Sequence, residues 1–282
     1  MSNYKIPGYL IVALGGLFLS TGGTIFKSFN VTDVWTIYFW RSLFFVPAVL
    51  IFLALSNKTI SISKQFLELG FSGVACSLLF ATSSASYMFA MKYTTVANVL
   101  FIIGTQTFFL AIAGYFFLKE KINVSTAIAI LLAAVGIYVM IGTKISGGTL
   151  LGNSIAFIIP FAFTIIVILI RKFKETDMVP AVAMSGIFGL ILGFFLSENL
   201  MIDFHDLILA FFFGALQYAP GFICMTIGSK TTPAAKVGIF TFTEALAGPI
   251  WAWIFISETP PLGVFIGGAM IFVALLLKTY KS

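Results

Sequence analysis

Apolar residues run along the chain in long unbroken stretches, at about 8–26, 34–55, 66–91, 96–118 and 124–142. They recur at about 149–170, 179–197, 206–228, 234–257 and 261–278. At the helical rise, each is long enough to cross the hydrocarbon of a bilayer. None alternates polar with apolar positions, so the pattern predicts helices and not barrel strands. The breaks carry turn chemistry or charge: Ser56-Asn57-Lys58, Lys119-Glu120-Lys121, Ser146-Gly147-Gly148, Arg171 to Asp177 and Glu258 to Pro261. The expected fold is an all-α membrane protein with ten transmembrane helices.

Composition agrees with lipid as the solvent. Hydrophobic types are 60% of the 282 residues and charged types only 9%, too little polar surface to cover a soluble core. A net charge of +6 would suit nucleic acid, but the basic residues fall in the short loops. Ten spans consume the length, so no extramembrane domain is expected, nor a cleavable leader, because the first apolar run reaches full span length. Cys76 and Cys224 stand in separate apolar runs with no Cys-x-x-Cys, as membrane hydrophobes and not as a metal or disulfide framework. His205 reads as an interfacial residue.

Counting Lys and Arg in alternate loops gives 12 on one side against 3 on the other, with Arg41 inside a span. The richer side is cytoplasmic by the positive-inside rule. Both termini then lie in the cytoplasm, as an even number of spans requires.

The two halves repeat. Gly8, Lys27 and Thr32-Asp33 return as Gly152, Arg171 and Thr176-Asp177, each 144 positions on. Thr94-Thr95 returns as Thr231-Thr232 at an offset of 137, and Gln106 and Glu120 as Glu244 and Glu258 at 138. Residues 1–143 and 149–282 are the expected units. Five helices per unit is an odd number, so the second unit enters the membrane inverted. Inverted repeats exchanging conformation are how many transporters alternate access to one site.

Phe39-Trp40-Arg41-Ser42-Leu43, Ala90 to Glu120, and Gly228 to Glu258 containing Glu244-Ala245-Leu246-Ala247-Gly248-Pro249-Ile250-Trp251 resemble the drug/metabolite transporter superfamily, EamA type. Gly267-Gly268-Ala269 extends the likeness, which covers nearly all of the chain. The family usually has Pro directly after the ninth-helix Glu; here Ala245 follows it and Pro249 comes later. The resemblance implies ten helices, cytoplasmic termini and a central cavity lined mainly by helices one, three, four, six, eight and nine.

Glu244 lies about ten residues into its span, where a carboxylate is costly unless paired, protonated or wet. Thr241, Gly248 and Trp251 share its helical face. It is a cavity residue that binds a cation or cycles a proton, or else an acid that ties helices together. Gln106, its partner across the repeat, offers an amide to substrate or to a neighbouring helix. Arg41 either snorkels to the external interface near Asp33 and Trp40 or serves a gate, an ion pair or a carboxylate clamp. Thr21, Ser83, Tyr87, Gln217 and Tyr218 sit on smaller polar faces as further cavity candidates. Pro220, Gly221, Gly248 and Pro249 are candidate hinges.

The expected function is a secondary transporter moving a small amphipathic metabolite, an amino acid, amine or other organic cation, through the plasma membrane of a bacterium. S-adenosylmethionine or another nucleoside-type metabolite is the alternative. An integral-membrane enzyme is the remote one, since Glu198, Asp203 and Asp206 form no ligand-spaced set and no phosphate loop is present. No cofactor, metal or nucleic acid is expected. The partners are the small-molecule substrate, the lipid bilayer and a proton as candidate coupling ion, for a monomer or weak dimer.

Overall fold

The computed structural model describes residues 6–56, 61–142, 149–260 and 262–280. Lys5, Lys58, Lys144 and Lys281, which enter the charge count, lie outside them, as do Asn57-Lys58, Ser146 to Gly148 and Pro261 among the expected breaks. The described residues are helical, with no strand. Eight helices are long and apolar enough to cross a membrane: α1 Gly8–Lys27, α2 Val34–Ser56, α3 Gly70–Tyr93, α4 Val96–Leu118, α6 Leu150–Lys172, α7 Val179–Leu196, α8 Phe204–Thr231 and α9 Ala234–Ile256. Between and after them lie α5 Val124–Gly142 and α10 Leu262–Tyr280, apolar over Val124–Gly136 and Leu262–Ala274. The third apolar run, expected from residue 66, is divided. A short helix Ile62–Leu67 ends before Gly70, whose φ of 56° turns the chain into α3.

Large apolar side chains such as Phe116, Phe117, Phe195 and Phe255 point outward, as lipid-facing positions should. Polar groups point inward: Ser83, Ser84, Gln106, Gln217, Thr241 and Glu244 are all buried. The chain is a multi-pass membrane protein turned towards a polar interior.

The main helix pairings are α5–α10, α2–α7, α4–α9, α1–α8, α3–α6, α1–α9, α4–α6, α2–α8 and α3–α7. Exchanging each helix with the one five places along maps this set onto itself. Close approach rests on glycine where α1 meets α8. A Cβ on Gly228 would come within 2.7 Å of the Gly8 carbonyl, and one on Gly15 within 2.9 Å of the Gly221 carbonyl. Small residues let backbones meet in a membrane, where lipid gives no hydrophobic reward for burying larger ones.

Several helices are interrupted. α1 breaks after Leu19, α4 at Thr105 and α6 at Phe157. α8 passes through a π-helical stretch, Phe212–Tyr218, just before Pro220. Proline has no N–H to give, and the wider turn absorbs the lost bond. α9 runs as one helix through Gly248 and Pro249, both named as hinge candidates.

In the first turn of α8, Asp206 is fully buried and accepts the backbone N–H of Asn30 and of Val31, each at 2.9 Å. It thereby fastens the α1–α2 loop to the start of α8. Asp33 caps α2. It accepts the Thr36 N–H at 3.0 Å, the Thr36 hydroxyl at 2.7 Å and the Trp35 N–H at 3.2 Å.

Candidate functional site

A small cavity lies at the centre of the helices. Its walls come from α1, α3, α4, α6, α8 and α9, through Leu19, Ser83, Ser84, Tyr87, Ile103, Gln106, Ile159, Phe163, Phe213, Gln217, Tyr218, Phe222, Met225, Thr241 and Glu244. Space open to the centre of a water molecule is about 50 Å³. That suits on the order of three to five waters and is well below a typical ligand pocket. The walls leave little free space at the site.

Seven of the residues singled out from the sequence meet here: Glu244, Gln106, Tyr87, Tyr218, Gln217, Ser83 and Thr241. Gln106 Nε2 donates to the Thr241 hydroxyl at 2.8 Å, joining α4 to α9 beside Glu244. Gln217 Nε2 donates to the Leu19 carbonyl at 2.9 Å, using the acceptor that the break in α1 leaves free. Among the described residues, Glu244 has no hydrogen bond or ion pair, although it is only 7% exposed. Among the described residues, the Tyr87 hydroxyl and the Gln217 Oε1 also lack partners. The cavity is thus lined by polar atoms with bonds to give.

Thr21 and Trp251 stand elsewhere. They line a second, more apolar groove between α1, α8 and α9, with Thr24, Leu216 and Phe255. Gln217 borders both spaces. Trp251 Nε1 donates to the Ser20 hydroxyl at 3.1 Å, tying α9 to α1. Of the hinge candidates, Gly221 and Gly248 are contact points. A Cβ on Gly248 would meet Leu100 Cδ1 at 2.1 Å, and one on Gly221 would meet Leu19 Cδ2 at 2.6 Å.

Arg41 is neither at the interface nor in an ion pair among the described residues. It is 1% exposed. Its Nη2 donates to the Ser84 hydroxyl of α3. The guanidinium lies 4.0 Å from the Tyr218 ring centroid, 4.9 Å from Tyr38 and 5.3 Å from Phe213. Nε and Nη1 have no partner. Ser84, Phe213 and Tyr218 are cavity walls, so the guanidinium stands directly behind them. Sequence reasoning missed Ser84, although its neighbour Ser83 was singled out. It also missed Gly22, where a Cβ would come within 2.8 Å of Gln217 Nε2 and 3.0 Å of the Tyr87 hydroxyl.

The EamA-like transporter family model matches residues 6–142 and again 150–280. The chain belongs to the EamA-like transporter family. A relative of this EamA-like protein from Clostridium kluyveri, named only as an uncharacterized transporter, is 23% identical over 98% of this chain and 93% of its own length. A crystal structure titled only as that of a protein superposes with a TM-score of 0.79 at 14% identity, covering 97% of this chain and 96% of that one. The latter likeness concerns the fold alone. Family and relative together point to a transporter.

Proposed function

We propose that the protein is a secondary transporter that carries a small amphipathic metabolite bearing a cationic amine by alternating access. The observation that carries this reading is the Glu244 carboxylate, buried in a small central cavity with no hydrogen bond or ion pair among the described residues. A carboxylate placed there is stabilised when a cationic group enters and takes its charge. Apolar wall residues such as Phe163, Phe222 and Met225 suit the rest of an amphipathic substrate.

In this reading all ten helices cross the bilayer, and 1–143 and 149–282 are inverted five-helix repeats. Support comes from the closed exchange of helix pairings and from the two family matches, one per half. The side bearing the α4–α5 loop and both termini is assigned to the cytoplasm of a bacterial cell, on the charge bias. A proton, taken up by Glu244 when no substrate is bound, is the candidate coupling ion.

The test is uptake and counterflow in proteoliposomes, with and without a pH gradient, over a panel of amines and amino acids. Glu244→Gln keeps the shape and removes the charge. The expected result is a folded variant whose transport is lost or no longer depends on pH. Folded Glu244→Gln with unchanged transport at every pH would make the acid a structural tie.

A further inference from the structure

We infer that the central cavity is built for a zwitterion: an ammonium at Glu244 and a carboxylate-type anion on the opposite wall, backed by Arg41. This rests on the transport reading above and narrows its substrate class.

The argument begins with cost. A guanidinium inside a membrane protein needs an anion or a full set of acceptors. Arg41 has one acceptor, the Ser84 hydroxyl, and two nitrogens with none. Three aromatic faces surround it and offset part of the cost by cation–π attraction. A ring face takes no in-plane hydrogen bond, and Nε and Nη1 have no partner among the described residues. No carboxylate among the described residues pairs with it, so the positive charge is unneutralised.

The charge also stands in a particular place. Ser84 and Tyr218, which touch the guanidinium, both face the cavity. The Tyr87 hydroxyl is an unpartnered donor among the described residues, the Tyr218 hydroxyl stands beside Arg41 and Ser84, and Tyr87 lies within electrostatic reach of both Arg41 and Glu244. One wall therefore offers hydroxyl donors with a cation behind them, and α9 offers an acid. A cation alone would satisfy Glu244 and leave the Arg41 side as it is. An anion alone would do the reverse. A molecule with both charges settles both, and Ile103, Phe163 and Met225 favour an apolar substituent between them. Arg41 is a positioning residue here, since it acts through Ser84 and Tyr218.

The experiment compares neutral α-amino acids with apolar side chains, each beside its decarboxylated amine and its methyl ester. Ligand-induced thermal shift of the purified protein and counterflow in proteoliposomes are the two readouts. The wild type should favour the zwitterion of each set by about tenfold or more, the usual gain from a bond to a charged group. Tyr218→Phe keeps the ring on Arg41 and should shrink that preference. Arg41→Gln should erase it, and Arg41→Lys should keep part of it. Equal or better binding of the amines by the wild type overturns the inference while leaving amine transport standing. So does a preference that survives Arg41→Gln. If no member of any set binds, the transport reading falls too. Should Arg41→Gln not fold, the wild-type and Tyr218→Phe comparisons decide.

Discussion

Single charged residues inside a span are legible as exceptions but not as neighbours. Glu244 stands out in an apolar run, and depth alone marks it as needing a reason. Arg41 shows the limit. A guanidinium seven residues from a helix end can reach water or turn inward, and helix periodicity does not choose. The choice is made by Ser84, Phe213 and Tyr218, which come from helices 43 or more positions away. At the same scale, Asp33 allows a prediction outside the membrane. Burial raises its pKa, but the bonds from Thr36 and Trp35 outweigh that, and the net value is below the usual 3.8. A depressed folded pKa gives stability that is present above about 4 and lost as pH falls through the folded value. Asp33→Ala should therefore cost about 1 kcal/mol at neutral pH, as N-cap losses do, with the difference from wild type vanishing in acid. Asp33→Asn, whose single amide oxygen can still accept one of the two backbone N–H groups, should lose less. Thermal unfolding in detergent across a pH series checks both.

At the scale of elements, helix positions follow almost directly from apolar length, because lipid requires every backbone group to be satisfied within the helix. What length does not reveal is where a helix breaks. The break after Leu19 is stabilised by Gln217, nearly two hundred residues on. The π-helical turn at Phe212–Tyr218 has a local cause in Pro220 and could have been anticipated there. Pro249 is the converse case, since α9 continues through it. Glycines were likewise ambiguous between bending and packing. On the α1–α8 seam they pack. A Cβ at Gly228 would sit 2.7 Å from both the Gly8 carbonyl oxygen and Val12 Cγ2, with the Val12 amide nitrogen at 2.8 Å. Backbone cannot step aside as a side chain can, so the two helices must move apart. Gly228→Ala should lower stability by about 1–3 kcal/mol, the usual cost of overpacking, read as a reduced melting temperature. Gly70→Ala, with nothing within 4 Å of its Cβ, should differ in kind: its cost is backbone strain at positive φ, not collision.

At the scale of the whole molecule, the repeat places two ion pairs in equivalent positions. Lys27 and Glu258 match Arg171 and Glu120 across the two halves, and each pair joins one half to the other. The helices before both acids end alike, with Lys119 at φ 55° and Ser257 at φ 56°. The Glu120 amide returns to the Gly114 carbonyl at 3.1 Å and the Glu258 amide to the Ala252 carbonyl at 3.2 Å. The two pairs are not equally made. Arg171 Nε holds Glu120 Oε1 at 2.7 Å, and Nη1 reaches the carbonyls of Ser229 and Thr232. Glu120 Oε2 accepts the Ala234 N–H at 2.7 Å, capping α9. Lys27 and Glu258 are 3.8 Å apart, each about a quarter exposed, with no such additional bonds. One face is thus stapled across α4, α6, α8 and α9, whereas on the other the equivalent pair is loose and the halves meet also through Asp206, which accepts the Asn30 and Val31 N–H groups. If the halves exchange conformations, the two staples should exchange roles. Glu120→Gln then has a directional effect that a merely structural tie would lack. With Cys76 and Cys224 replaced by Ser, spin labels at Lys119 and Lys230 should move apart by several ångström. Labels at Ser28 and Thr259 should draw together. Glu258→Gln should leave the first distance unchanged, because the tight staple is intact. Distances that do not respond to Glu120→Gln in a folded protein would make the pairs static braces, and the alternation would have to be governed elsewhere.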